Sequence, residues 1–172
     1  MFASQSTPGN GPCKALLVAP DREVAADLTR LVSSGLPGTA LVPLKTYPPA
    51  AVVSELAADP ALRLCFLDVC SGPEAALALL SEISRLAPEL AVVAALSRND
   101  PDLILRCLRQ GASEFLIQPF TTDQLEAAMQ KLSRTYSLAH PPTHSLARVY
   151  CVMPGKGACG ATTLACNLAF QL

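Results

Sequence analysis

Of the 172 residues, 51% are apolar and only 16% charged, which supplies a sizeable core and excludes a chain disordered throughout. The net charge of −1 offers no electrostatic footprint for nucleic acid or an anionic membrane. The longest apolar runs fall well short of the ~20 residues that cross a bilayer, and the length fits one ordinary domain plus a fragment.

The opening stretch, MFASQSTPGNGP, has neither a basic start nor an apolar segment. It is no signal peptide and reads as a disordered lead-in over residues 1–12. The seven cysteines (13, 65, 70, 107, 151, 159 and 166) are odd in number, scattered and without a CxxC pair. They read as thiols, mostly buried, in a reducing cytosol rather than as a disulfide framework or zinc site.

KALLV, Lys14 to Val18, is a buried-type strand stopped by Pro20 and Asp21. Asp21 stands at the N-cap of a helix whose apolar face is Val24, Ala25, Leu28, Leu31 and Val32. Thr39 to Leu44 is a second strand. Pro48 and Pro49 then open a helix carrying Val52, Val53, Leu56 and Ala57 on one side.

Leu64 to Leu67 is an unbroken apolar run ending in Asp68. That carboxylate is either a functional group at the carboxyl edge of a parallel sheet or a cap for the loop that follows. Pro73 starts a helix with a Leu77, Leu80, Ile83, Leu86, Ala87 stripe, ended by Pro88. Leu90 to Leu96 is a strand closed by Ser97. Asp100 caps a helix with Pro101 at its first position, Ile104, Leu105, Cys107 and Leu108 facing inward, and Gly111 as its stop.

Phe115 to Ile117 leads into Gln118-Pro119-Phe120. Thr121 with Gln124 matches a capping box, and Phe120 with Leu125 the accompanying hydrophobic staple, for a last helix burying Leu125, Ala128, Met129 and Leu132. Five strands alternating with five helices make a doubly wound parallel α/β domain over residues 13–134. Residues 135–147 (TYSLAHPPTHSLA) read as a linker. The Pro141-Pro142 pair argues against a helical metal pair of His140 and His144. Residues 148–172 begin a second domain with a strand, a glycine-rich loop and a helix, without the sheet partners that would bury them.

In such a sheet the strand ends Ala19-Pro20-Asp21, Asp68, Ser97 and Gln118-Pro119 converge at one edge. This set resembles a response-regulator receiver domain over Lys14 to Leu132. The resemblance implies the flavodoxin-like strand order 2-1-3-4-5. It also implies Asp68 as the phosphoacceptor position, Ser97 as the switch hydroxyl, Phe115 as the aromatic switch and Pro119 as the proline after a cis bond. The family's acidic pair falls on Ala19 and Pro20, leaving only Asp21 acidic nearby, and its lysine falls on Gln118. Asp21 is also accounted for as an N-cap. Mg²⁺ would have only Asp21 and Asp68 to hold it, and phosphoryl transfer would lack its cation. The resemblance therefore implies a receiver that has lost phosphotransfer, with weak phosphorylation of Asp68 by a histidine kinase as the rival.

GKGACGATTLACNLA follows a strand and opens a helix, as a phosphate loop requires. It resembles the deviant Walker A motif of ParA/MinD-type ATPases. Gly155, Lys156, Gly157, Gly160, Thr162 and Thr163 then stand at nucleotide-binding positions, Lys156 at the signature lysine and Thr162 at the Mg²⁺ hydroxyl. Ala158 and Ala161 replace a glycine and the usual lysine. A degenerate receiver followed by such a loop resembles the TadZ/CpaE family of Flp (tight-adherence) pilus assembly. The resemblance implies a cytoplasmic, sometimes polar, interaction module rather than an enzyme. Its expected partners are itself and pilus or secretion components, with no nucleic acid or membrane insertion. ATP would bind only in a longer protein, and a nucleotide-binding fragment is the third reading.

Overall fold

In the computed structural model, residues 14–139 are described, together with residues 153, 162–164, 166 and 167. Uninterrupted apolar runs become the strands β1 (Lys14–Val18), β2 (Ala40–Leu44), β3 (Leu62–Asp68), β4 (Ala91–Leu96) and β5 (Glu114–Ile117). One-sided apolar stripes become the helices α1 (Arg22–Gly35), α2 (Ala50–Ala57), α3 (Pro73–Leu86), α4 (Pro101–Arg109) and α5 (Thr122–Ala139). All strand pairs are parallel, and the sheet order is β2-β1-β3-β4-β5. This is the expected flavodoxin-like, receiver-type topology.

Side-chain alternation along the central strands feeds two cores. Leu16, Val18, Cys65, Leu67, Val92 and Ala94 join Val53, Leu80, Ile83 and Cys107 on the α2–α3–α4 face. Ala15, Leu17, Leu64, Phe66, Val93 and Leu116 join Leu28, Val32, Leu125 and Leu132 on the α1–α5 face. Burial on both sides explains why β3 and β4 read as continuous apolar runs. Edge strand β2 is only half-buried and carries Pro43. Leu44 accepts a hydrogen bond from Ala19 N, so Pro43, one residue earlier, has its missing N–H on the open side.

Local signals behave as the sequence requires, with three differences. Asp21 and Asp100 cap α1 and α4 through their carboxylates, and Gly111 ends the α4 segment at φ +107°. On α4, Leu103 and Cys107 are buried, but Leu105 and Leu108, expected to face inward, are 50% and 39% exposed. The sheet ends at β5, so no further helix flanks α4 on its outer side. At α5, Thr121 Oγ1 accepts from Gln124 N at 3.4 Å, but the box is not reciprocal. Gln124 instead accepts from Ile117 N and donates to Pro119 O. Finally, α5 runs to Ala139, five residues into the stretch read as a linker, because no helix breaker occurs before Pro141.

The chain divides into two compact units, residues 1–139 and 140–172. In the second unit, residues 162–164 and 166–167 are helical and exposed, and Asn167 Nδ2 donates to Thr163 O at 2.8 Å. Thr162 and Thr163 thus lie on a helix. The lead-in over residues 1–12, His140 and His144, and the loop residues Gly155, Lys156, Gly157 and Gly160 lie outside the described residues.

Candidate functional site

Asp68 is the last residue of β3, the central strand, and is 1% exposed. A carboxylate so buried must have its lone pairs satisfied locally. Its Oδ1 accepts from Cys70 N at 2.9 Å and Ser71 N at 3.3 Å. Its Oδ2 accepts a short hydrogen bond from Ser71 Oγ. The side chain thus caps its loop, one of the two roles open to it from sequence, and closes the β3–α3 turn on itself.

Tyr47 reaches the same turn from the β2–α2 loop, past the end of β1. Its hydroxyl donates to the backbone carbonyl of Asp68 at 2.9 Å. Its ring lies over Gly72, where an added Cβ would come within 3.0 Å of Cε2. Burial, and then the negative charge of Asp68, push the Tyr47 hydroxyl up to about 12. The small residues at the end of β1 suit this crossing: Ala19 is buried, and Pro20 follows it.

Each of the other predicted site residues has local contacts of its own. Asp21 is exposed and accepts from Glu23 N at 2.7 Å and Val24 N at 3.1 Å, the N-cap role. Ser97 is exposed, and its backbone N–H donates to Cys70 Sγ at 3.3 Å, tying the β4–α4 loop to the turn after β3. Phe115 is half-buried against the α2–α3–α4 core, among whose partly buried neighbours are Tyr47, Cys70 and Ile104. The Gln118–Pro119 peptide is cis. Gln118 is fixed by its backbone N–H to Leu96 O at 2.8 Å and by Nε2 to Asp27 Oδ2 at 3.1 Å. Its side chain is thereby engaged with α1.

Sequence reasoning missed Tyr47, Ser71 and Asp27. Ser71 had a signal, since an Asp followed by a hydroxyl three residues on is the composition of a side-chain-closed turn. Tyr47 and Asp27 act across loops 21 and 91 residues away in sequence, where no local pattern speaks. Among the described residues, no three His, Cys, Asp or Glu side chains converge as a metal site would need. The cysteines described, 65, 70, 107 and 166, are free thiols, and burial pushes Cys65 up to about 12 and Cys107 upward.

No family model matches the chain, and neither does any curated protein. Solved structures do. A protein assigned to pilus assembly, CpaE from Burkholderia thailandensis, is 22% identical with a TM-score of 0.58, covering 71% of this chain and 98% of that one. A CheY-like protein, TadZ from Pseudomonas aeruginosa, is 21% identical with a TM-score of 0.61, covering 70% and 98%. A response regulator from Thermotoga maritima is 25% identical with a TM-score of 0.57, covering 70% and 98%. The strand order, the strand-end aspartate and these likenesses together make the described unit a receiver-like domain.

Proposed function

We propose that this domain is a pseudo-receiver: a non-catalytic module that binds protein partners and carries no phosphoryl group. The observation that carries the reading is the state of Asp68. Both of its oxygens are taken by Cys70 and Ser71, inside a turn that leaves it 1% exposed. The residues present do not fit Mg²⁺. The positions of the acidic pair hold Ala19 and Pro20, and Asp21 is spent on the α1 N-cap. The side chain at the lysine position, Gln118, is neutral and bonded to Asp27. Nothing in this set offsets charge developing on a transferred phosphoryl group.

The partner-binding half rests on α4. Leu105 and Leu108 stand exposed on one helix beside Arg106 and Arg109, a surface suited to self-association or to a pilus-assembly component. By likeness to CpaE and TadZ, the domain serves Flp-type pilus assembly in the cytoplasm, at a pole its partners define. In the same reading the glycine-rich loop over residues 155–163, Lys156 included, belongs to an ATPase-like unit that binds ATP.

The test is intact-mass analysis after incubation with acetyl phosphate and Mg²⁺, with Asp68→Asn as control. No adduct on folded protein is the expected outcome. An adduct that vanishes in the control overturns the reading and makes the domain a phosphorylated switch served by a histidine kinase.

A further inference from the structure

We infer that Tyr47 is a cover over the Asp68 site, holding the strand-end carboxylate away from solvent and from any phosphodonor. The inference deepens the pseudo-receiver reading by naming what keeps the site shut.

Three observations carry it. The Tyr47 hydroxyl holds the backbone carbonyl of the very residue whose side chain is enclosed, at 2.9 Å. Its ring occupies the space over Gly72, so the cover and the turn are matched in shape; any side chain at position 72 would press on the ring at 3.0 Å. The ring also packs against the α2–α3–α4 core, as Cys70 of the same turn does.

The two loops it joins belong to strands that are not neighbours, because β1 lies between β2 and β3. Tyr47 is therefore a strap across the short end of β1. Ala19 and Pro20 leave that end free of any long or charged side chain. A strap of this kind positions rather than reacts. It holds the β3–α3 turn in the form in which Ser71 Oγ and the Cys70 and Ser71 amides enclose the carboxylate.

Carboxylate footprinting tests this directly. The chain is treated with a carbodiimide and glycinamide, and labelling of Asp68 is read by peptide mass against that of exposed Glu126. Wild-type Asp68 is expected to label slowly, and Tyr47→Ala to raise the Asp68 rate about tenfold, with Glu126 unchanged. Tyr47→Phe keeps the ring and loses the hydroxyl bond, so its rate should fall between. Ser71→Ala, which frees Oδ2 without touching the strap, gives a second positive signal and shows that the label can report on this site. An Asp68 rate unchanged in folded Tyr47→Ala, beside a raised rate in Ser71→Ala, overturns the cover. Failure of the pseudo-receiver reading is separate: wild-type protein would then take phosphate at Asp68, whatever the footprint of the Tyr47 variants.

Discussion

The side-chain amide of Gln118, at the end of β5, donates to Asp27 Oδ2 on α1 at 3.1 Å. The group standing at the lysine position of a receiver is thus committed to a helix on the opposite side of the strand ends from Tyr47. A lysine placed there would meet a carboxylate already waiting for it. In Gln118→Lys, an ion pair with Asp27 is expected, with stability within about 0.5 kcal/mol of wild type because the pair is partly exposed. No phosphate adduct should appear on treatment with acetyl phosphate. Urea denaturation and intact mass check the two halves.

Removing the carboxylate should loosen the turn rather than the fold. Asp68→Ala strips acceptors from Cys70 N, Ser71 N and Ser71 Oγ, a loss of about 1–3 kcal/mol. Partner binding should survive, because the proposed contact surface is on α4. Denaturation midpoints and a pull-down with the same variant measure both.

Alkaline pH should destabilise the domain through protons on Tyr47, Cys65 and Cys107 that the fold holds more tightly than the unfolded chain does. Tyr47 rises from 10.0 to about 12, and buried Cys65 from 9.0 to about 12. A folded pKa above the unfolded one gives stability that is full below the unfolded value and lost as pH climbs to the folded one. The window is therefore about pH 9 to 12. Tyr47 is only half-buried, so its share is about 1 kcal/mol after screening. Melting temperatures across this window should fall, and fall less steeply in Tyr47→Phe.

Gly111 should tolerate no side chain. Its φ is +107°, and a Cβ there would lie 1.8 Å from Ser84 Oγ. Gly111→Ala combines a left-handed strain with a collision and should cost about 2–3 kcal/mol. Gly38→Ala, at φ +89° in open space, should cost about 1 kcal/mol from the backbone alone. Parallel chemical denaturation of the two variants separates the steric part from the conformational part.

Exposed Leu105 offers a test of the contact surface. Leu105→Glu should leave stability within about 0.5 kcal/mol, since half of the residue already faces water. It should weaken self-association measured by sedimentation. An unchanged sedimentation profile in a wild type that does associate would move the contact elsewhere.

The strands were legible because β3 and β4 are covered on both faces, which leaves apolar runs with no alternation to confuse. Asp21, Asp100, Pro101 and Gly111 announced helix ends because capping is local chemistry. Leu105 and Leu108 were misjudged for the converse reason: their spacing on α4 is that of a core stripe, and only the sheet's end at β5 leaves them uncovered. At the site, Asp68 was conspicuous as a charge closing an apolar run. Its enclosure was not, because Tyr47 arrives from another loop, and Gln118 gives no hint in sequence that Asp27 will hold it.

Pro43 has a consequence for how copies of this chain can meet. A sheet edge recruits a new strand by offering alternate donors and acceptors, and at Pro43, one of the outward positions of β2, the donor does not exist. A second chain cannot zip onto that edge through an unbroken ladder, because the rung at Pro43 is missing. Copies of this domain can pack closely by their helices without an unbroken strand ladder forming through β2.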